Sequence, residues 1–164
     1  MQSGKDIMYP NQEVIKPHLR LATEQDCLYL AENLREEDYR EIQAASGLPP
    51  LLSLIHGLKH SQVPLVICDK NNKIVAMLGV VPNGLIGSIW MVGTPDLKKI
   101  SVSFLKNCQG VFKVLKNNFQ LLHNYVDARN ELHIRWLKWM GFTFIKKHNH
   151  IGIEQLPFYE FIKL

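Results

Sequence analysis

Half-cystines in a framework, a long apolar run, a basic stripe and a glycine-rich phosphate loop are all missing from this sequence, and each absence excludes something. The three cysteines, Cys27, Cys68 and Cys108, are far apart and never form Cys-x-x-Cys. An odd, sparse count predicts free, buried thiols in a reducing compartment rather than a disulfide framework. No basic neighbour stands beside any of them to activate a thiolate. No apolar stretch approaches the roughly 20 residues of a membrane span. Residues 1–17 are polar, contain Gly4, Pro10 and Pro17, and show no apolar signal-peptide core. A protein soluble and cytosolic where it is made is the expectation. The charge is mild, +4 at pH 7, and Lys and Arg are scattered, so nucleic-acid binding is not indicated.

What is present is an ordinary globular composition, 46% hydrophobic and 21% charged over 164 residues, enough for one domain with a real core. Residues 1–16 read as an irregular arm and 17–164 as one domain. The spacing predicts a strand at 18–22. A helix to about Leu34 follows, capped by Thr23 with Asp26 three residues on. Further helices are expected over 36–46 and 51–60, separated by Gly47 and the Pro49-Pro50 break. Strands follow at 64–68, 73–81 and 86–92. Thr94 and Pro95 open a helical stretch, with an interruption near Ile100 where Ser101 would cap a fresh start. A strand at 121–126, a helix at 131–140 stopped by Gly141, and strands at 142–147 and 158–163 complete the order. The strand–helix–strand order across 86–126 requires a crossover, so those two strands should be parallel neighbours.

That order resembles the GNAT acyltransferase fold: a mixed, mostly antiparallel sheet, splayed between two parallel strands and flanked by helices. Arg20-Leu-Ala-Thr-Glu-Gln-Asp26 resembles the family's first strand-to-helix junction. Asn130-Glu-Leu-His-Ile-Arg-Trp-Leu-Lys-Trp-Met-Gly-Phe142 is similar to its pattern of Asn, short helix and Gly-Phe. Asn124 to Asn130, His133 to Lys138 and Trp90 to Thr94 also resemble small GNAT-like proteins of short-tailed bacteriophages, among them those called internal virion protein A. The resemblance implies a phage-encoded virion component or assembly factor. Its partners would be other virion proteins or further copies of itself, in the host cytoplasm or incorporated in the particle. An active N-acyltransferase, passing an acetyl group from acetyl-CoA to an amine, is the alternative, and an inhibitor of a host protein a further one.

The family's chemistry lacks its usual residues here. Pyrophosphate is held by amides at a helix start after an Arg/Gln-x-x-Gly-x-Gly/Ala loop. The matching stretch, Gly93 to Ser103, has no second glycine, loses an amide at Pro95 and places Asp96 where phosphates would lie. Lys98 and Lys99 offer partial compensation. The family's general-acid Tyr falls on Leu137, and the strand 86–92 carries no carboxylate to serve as base; Tyr125, Tyr159, His123 and Asp127 are the substitutes in view. No cofactor is expected. If acetyl-CoA binds, Met91, Val92, Gly93 and Asn130 are the residues to hold it.

The remaining constellations read as structural. His56 and His60 have metal-pair spacing without a third ligand, so no metal site is expected. His148 and His150 have the alternation of one strand face, but the preferred reading is a basic loop tip, Lys146 to His150. Trp90, Trp136 and Trp139 read as core and contact residues rather than a stacking set. Asp127 reads as a cap and Asn130 as an amide brace between strand ends, with a functional loop as the alternative.

Overall fold

Residues Ile74–Asn83 are apolar almost without interruption, and a strand of that kind must be covered on both faces. The structure, a computed structural model, describes residues 17–100 and 102–164. The arm at 1–16 and the cap at Ser101 fall outside them. The elements are β1 (His18–Leu21), α1 (Glu24–Asn33), α2 (Glu36–Ala45), α3 (Pro50–His60), β2 (Gln62–Cys68), β3 (Ile74–Asn83) and β4 (Ile86–Gly93). A 3₁₀ turn (Pro95–Lys99), α4 (Val102–Asn107), α5 (Gln109–Lys116), β5 (Leu121–Asp127), α6 (Glu131–Trp139), β6 (Thr143–Ile151) and β7 (Leu156–Lys163) follow.

All seven strands form one sheet in the order β1-β2-β3-β4-β5-β7-β6. Every neighbouring pair is antiparallel except β4 and β5, which are parallel as the crossover requires. Their pairing is short. It runs from Ile86–Leu121 to Ser88–His123 and then stops.

Strand alternation divides the core between the two faces. Val66, Cys68 and Met77 meet Cys27 and Leu30 of α1 and Leu54 of α3. Leu65, Ile67, Leu78 and Val80 face the larger cluster, with Phe112 and Leu115 of α5 and Trp136 and Leu137 of α6. The three cysteines are free and buried, and burial pushes the Cys108 thiol up to about 11. Trp90 lies under α3, where a side chain on Gly57 would come within 2.8 Å of its ring. Its indole N–H donates to Ser61 Oγ at 2.8 Å. Trp136 is core and Trp139 is half exposed, so the three tryptophans are not one set.

The helix boundaries at Thr23 and Gly141 are those the sequence predicts. The Thr23 amide donates to Asp26 Oδ2 at 2.8 Å, the Asp26 amide returns to Thr23 Oγ1, and Arg20 clamps the same carboxylate through both terminal nitrogens. Burial raises that carboxyl's pKa, but these hydrogen bonds outweigh burial and leave it below the ordinary range. At the end of α6, Phe142 N–H reaches Leu137 C=O and Gly141 N–H reaches Lys138 C=O. This is a Schellman closure with Gly141 at φ +84°.

Some boundaries differ from expectation. α3 begins on Pro50 itself, because a first-turn proline sacrifices no helical hydrogen bond. β2 starts at Gln62, before a register shift at Val63, whose φ is +42°. Residues 146–150 are strand, not a loop tip: β6 runs to Ile151, and His148 pairs with Phe158 across the ladder.

Candidate functional site

Beyond Ser88 and His123 the parallel strands separate, and side chains enter the gap. Asn124 bridges its mouth, donating from Nδ2 to Ile89 C=O at 2.7 Å. A cavity of about 280 Å³ follows, walled by Ile89–Val92 of β4, Asn124 and Tyr125 of β5, and Asp38 and Glu41 of α2. Pro82 has no N–H to give its partner Gly87, so residues 87, 89, 91 and 93 turn their backbone groups away from β3. Met91 and Gly93 therefore present their amides to the gap, while Val92, opposite Met77, presents its own to β3.

At Gly93 those groups are already engaged. Its N–H donates to Asp38 Oδ2 at 2.7 Å, and its C=O accepts from the Arg35 amide at 2.8 Å. The start of α2 thus docks on the free edge of β4 much as a strand would. At its other end α2 is held by the β6–β7 turn. Glu154 N–H donates to Ala44 C=O, and a Cβ on Gly152 would fall 2.2 Å from that same oxygen.

Asn130 completes a buried polar knot. Its Oδ1 accepts from Arg35 Nη2 at 2.8 Å, and its Nδ2 donates to Asp38 Oδ1 at 2.9 Å and Glu41 Oε2 at 2.8 Å. Glu41 Oε1 accepts the Asp127 amide at 2.9 Å, tying α2 to the end of β5. Asp38, Arg35 and Asn130 are 2%, 5% and 1% exposed, so the bonds among these three form away from bulk water, while those to Glu41 are partly buried. Burial raises the Asp38 carboxyl's pKa and Glu41 adds to the rise, while Arg35, 3.7 Å away, and the Gly93 amide oppose it. His133, on the first turn of α6, lines the same cavity. Its Nδ1 has no hydrogen-bond partner and stands 3.9 Å from Glu41 Oε2.

Asn130 is a brace, as the sequence suggests, but it joins the loop after β5 to α2 rather than two strand ends. Asp127 receives Arg129 through its amide at 2.9 Å and its guanidinium at 2.7 Å. Tyr125 borders the cavity, whereas Tyr159 packs across the sheet beside Phe144 at 5.9 Å. Leu137 is core. His123 and His148 both hold Glu160, at 2.8 and 2.7 Å. Arg35, Asp38 and Glu41 are the residues that sequence reasoning missed: Glu36, Glu37, Asp38 and Arg40 look like a solvated charge cluster. The available signal was spacing, since Asp38, Glu41, Ile42 and Ala45 fall on one helical stripe.

The segment after β4 is closed on itself. Thr94 N–H donates to Val75 C=O and Leu97 N–H to Thr94 C=O. Thr94 Oγ1 caps the turn by accepting the Asp96 amide at 3.2 Å. Asp96 is paired with Lys99 at 3.0 Å and Lys73 at 3.1 Å, and these lysines hold its carboxyl below the usual range. The compensating charge on Lys99 is thus directed at Asp96.

Residues 74–149 match the model of the family described as "Bacteriophage T7, probable scaffold protein Gp13". A comparison with curated proteins finds no match. Among solved structures, an acetyltransferase of the GNAT family from Streptococcus pneumoniae superposes with TM-score 0.59 and 15% identity, covering 91% of this chain and 99% of that one. AAC(6')-Ib, solved in complex with ribostamycin and coenzyme A, gives 0.63 and 16%, covering 90% and 93%. The ribosomal-protein-S5-alanine acetyltransferase from Vibrio fischeri gives 0.58 and 16%, covering 89% and 91%. The chain has the fold of the GNAT acyltransferases, and its residues 74–149 match a phage family described as a probable scaffold protein.

Proposed function

We propose that this chain is a phage virion component or assembly factor that uses the GNAT scaffold for its surfaces, with the Gly93 backbone that would face an acetyl-CoA taken by the chain's own Asp38 and Arg35. The observation that carries this is the engagement of Gly93, whose N–H and C=O are taken by Asp38 and by the Arg35 amide. An acyl carrier entering between β4 and β5 would have to displace both, and with them the buried knot around Asn130.

The phosphate end supports the same reading. Anion capture at a helix start needs several unpaired amides pointing one way. Here Pro95 has none, the amides of Thr94, Asp96 and Leu97 are bonded within the protein, and Asp96 would repel the phosphates. These residues do not suit a coenzyme A pyrophosphate, and we derive no acyl-transfer step from them. The match to a phage scaffold family supports virion proteins, or further copies of this chain, as partners. It equally supports the host cytoplasm or the particle as its place. Among the described residues no helix is long and apolar enough to cross a membrane.

The test is genetic and compositional. A phage deprived of this gene should yield defective or incomplete particles, and complementation by an Asp96→Asn variant should restore them. Normal particle yield, composition and infectivity without the gene would refute an assembly role.

One feature favours the second reading, an active N-acyltransferase. The cavity of about 280 Å³ lies between the splayed strands, with the Met91 backbone turned toward it. On that reading Met91, Val92, Gly93 and Asn130 remain the cofactor contacts, and α2 must move to free Gly93.

A further inference from the structure

Asp38 and Glu41 stand one turn apart on α2, and His133 faces them from α6. Each offers one oxygen or nitrogen, and these three atoms all lie within 4.8 Å of one another. Three separate facts make this more than a pair of acids on a helix. His133 is 8% exposed, and its Nδ1 is buried with no hydrogen-bond partner, which is rare for a buried polar nitrogen. That nitrogen lies 3.9 Å from Glu41 Oε2, too long for a hydrogen bond and a few tenths of an ångström beyond the roughly 3.6 Å upper separation of two ligands on one ion. All three residues line the cavity between β4 and β5, so an ion there has an open side.

We propose that Asp38, Glu41 and His133 form a binding site for one divalent transition-metal ion of the zinc class, on the wall of that cavity. Both carboxylates are held from behind, Asp38 by the Gly93 amide and Asn130, and Glu41 by the Asp127 amide and Asn130. Each oxygen keeps a second lone pair for an ion. Hydrogen bonds of this kind orient metal-binding carboxylates and are as much a part of such sites as the ligands. The charge also fits: Arg35 lies 3.7 Å from Asp38 Oδ2 but is shared with Glu37 at 3.6 Å, so one guanidinium serves more than one carboxylate. One imidazole with two carboxylate oxygens suits Zn²⁺, Co²⁺ or Mn²⁺ better than Ca²⁺ or a thiolate-seeking ion. Ligands about 2.0–2.2 Å from an ion stand roughly 3.0–3.6 Å apart, so the side chains would close on it by a shift on the order of 1 Å.

The experiment is a titration of the metal-stripped full chain with Co²⁺, followed by visible absorption and NMR, with Zn²⁺ as competitor. The expected result is one equivalent bound, displaced by Zn²⁺, with paramagnetic shifts at the His133 ring and the Asn130 side-chain amide. His133→Gln and Glu41→Gln should each weaken binding by at least about 10- to 100-fold. The exposed pair His56 and His60, with ring centroids 4.3 Å apart, is the competing location, and His56→Ala with His60→Ala should leave the equivalent intact. Absence of binding at millimolar Co²⁺, or binding that shifts His56 and His60 instead of His133, would overturn the proposal. The NMR readout uses the unaltered chain, so it decides even if a ligand variant fails to fold.

Discussion

Asn130 and Asp38, 92 positions apart in sequence, meet at 2.9 Å in the interior, and the contact fixes α2 across the gap between β4 and β5. Because Asn130 also receives Arg35 and donates to Glu41, Asn130→Ala removes one hydrogen-bond partner each from a buried guanidinium and two carboxylates. The expected cost is about 2–4 kcal/mol, since lost partners leave the full desolvation penalty behind. Urea unfolding measures it. Asn118→Ala, which removes only an exposed bond to Gln62, should stay within about 0.5 kcal/mol. Equal effects from the two variants would show that the knot does not brace α2.

Alanine should have opposite effects at two glycines. Gly141 has φ +84°, and its nearest obstacle is the flexible end of Lys163 at 3.3 Å, so the penalty of Gly141→Ala is conformational, about 1 kcal/mol. Gly110 lies in α5 with nothing within 4 Å of its missing Cβ, and Gly110→Ala should stabilise by up to about 1 kcal/mol. Thermal midpoints should move in opposite directions; a shared sign would contradict the helix ends described here.

Glu160 links stability to acid pH. Hydrogen bonds from His148, then His123, hold its carboxyl below its ordinary value. The native state therefore binds this proton less readily than the unfolded chain. The stabilisation is complete above the unfolded pKa of about 4.3 and disappears as pH falls through the lower native value. Between about pH 5 and 3, Glu160→Gln should lose stability less steeply than the parent. Denaturant midpoints against pH test this, and parallel curves would count against the pairing.

The order of elements was legible because it rests on periodicity. β3 reads as a buried strand from its apolar run, Thr23 and Asp26 announce a helix start, and Gly141 announces an end. The parallel pairing of β4 with β5 followed from the crossover alone. The knot was not legible in the same way. Asp38 lies among Glu36, Glu37 and Arg40, and nothing local distinguishes a carboxylate that will be 2% exposed from neighbours that remain in water. Its burial is decided by Asn130 and Gly93, distant in sequence. His148 was misplaced for a related reason: a Lys- and His-rich segment looks like a loop, yet at a sheet edge such residues are well tolerated in a strand.

The most direct test of the central claim is calorimetric titration of acetyl-CoA into the full chain. On the proposed reading, engagement of the Gly93 N–H by Asp38 and of its C=O by the Arg35 amide, together with Asp96 beside the following helical turn, predicts no saturable heat up to about 1 mM ligand, an affinity weaker than roughly −4 kcal/mol. Saturable binding with a dissociation constant in the low micromolar range, together with thiol release when an amine is supplied, would contradict it and make the chain an enzyme.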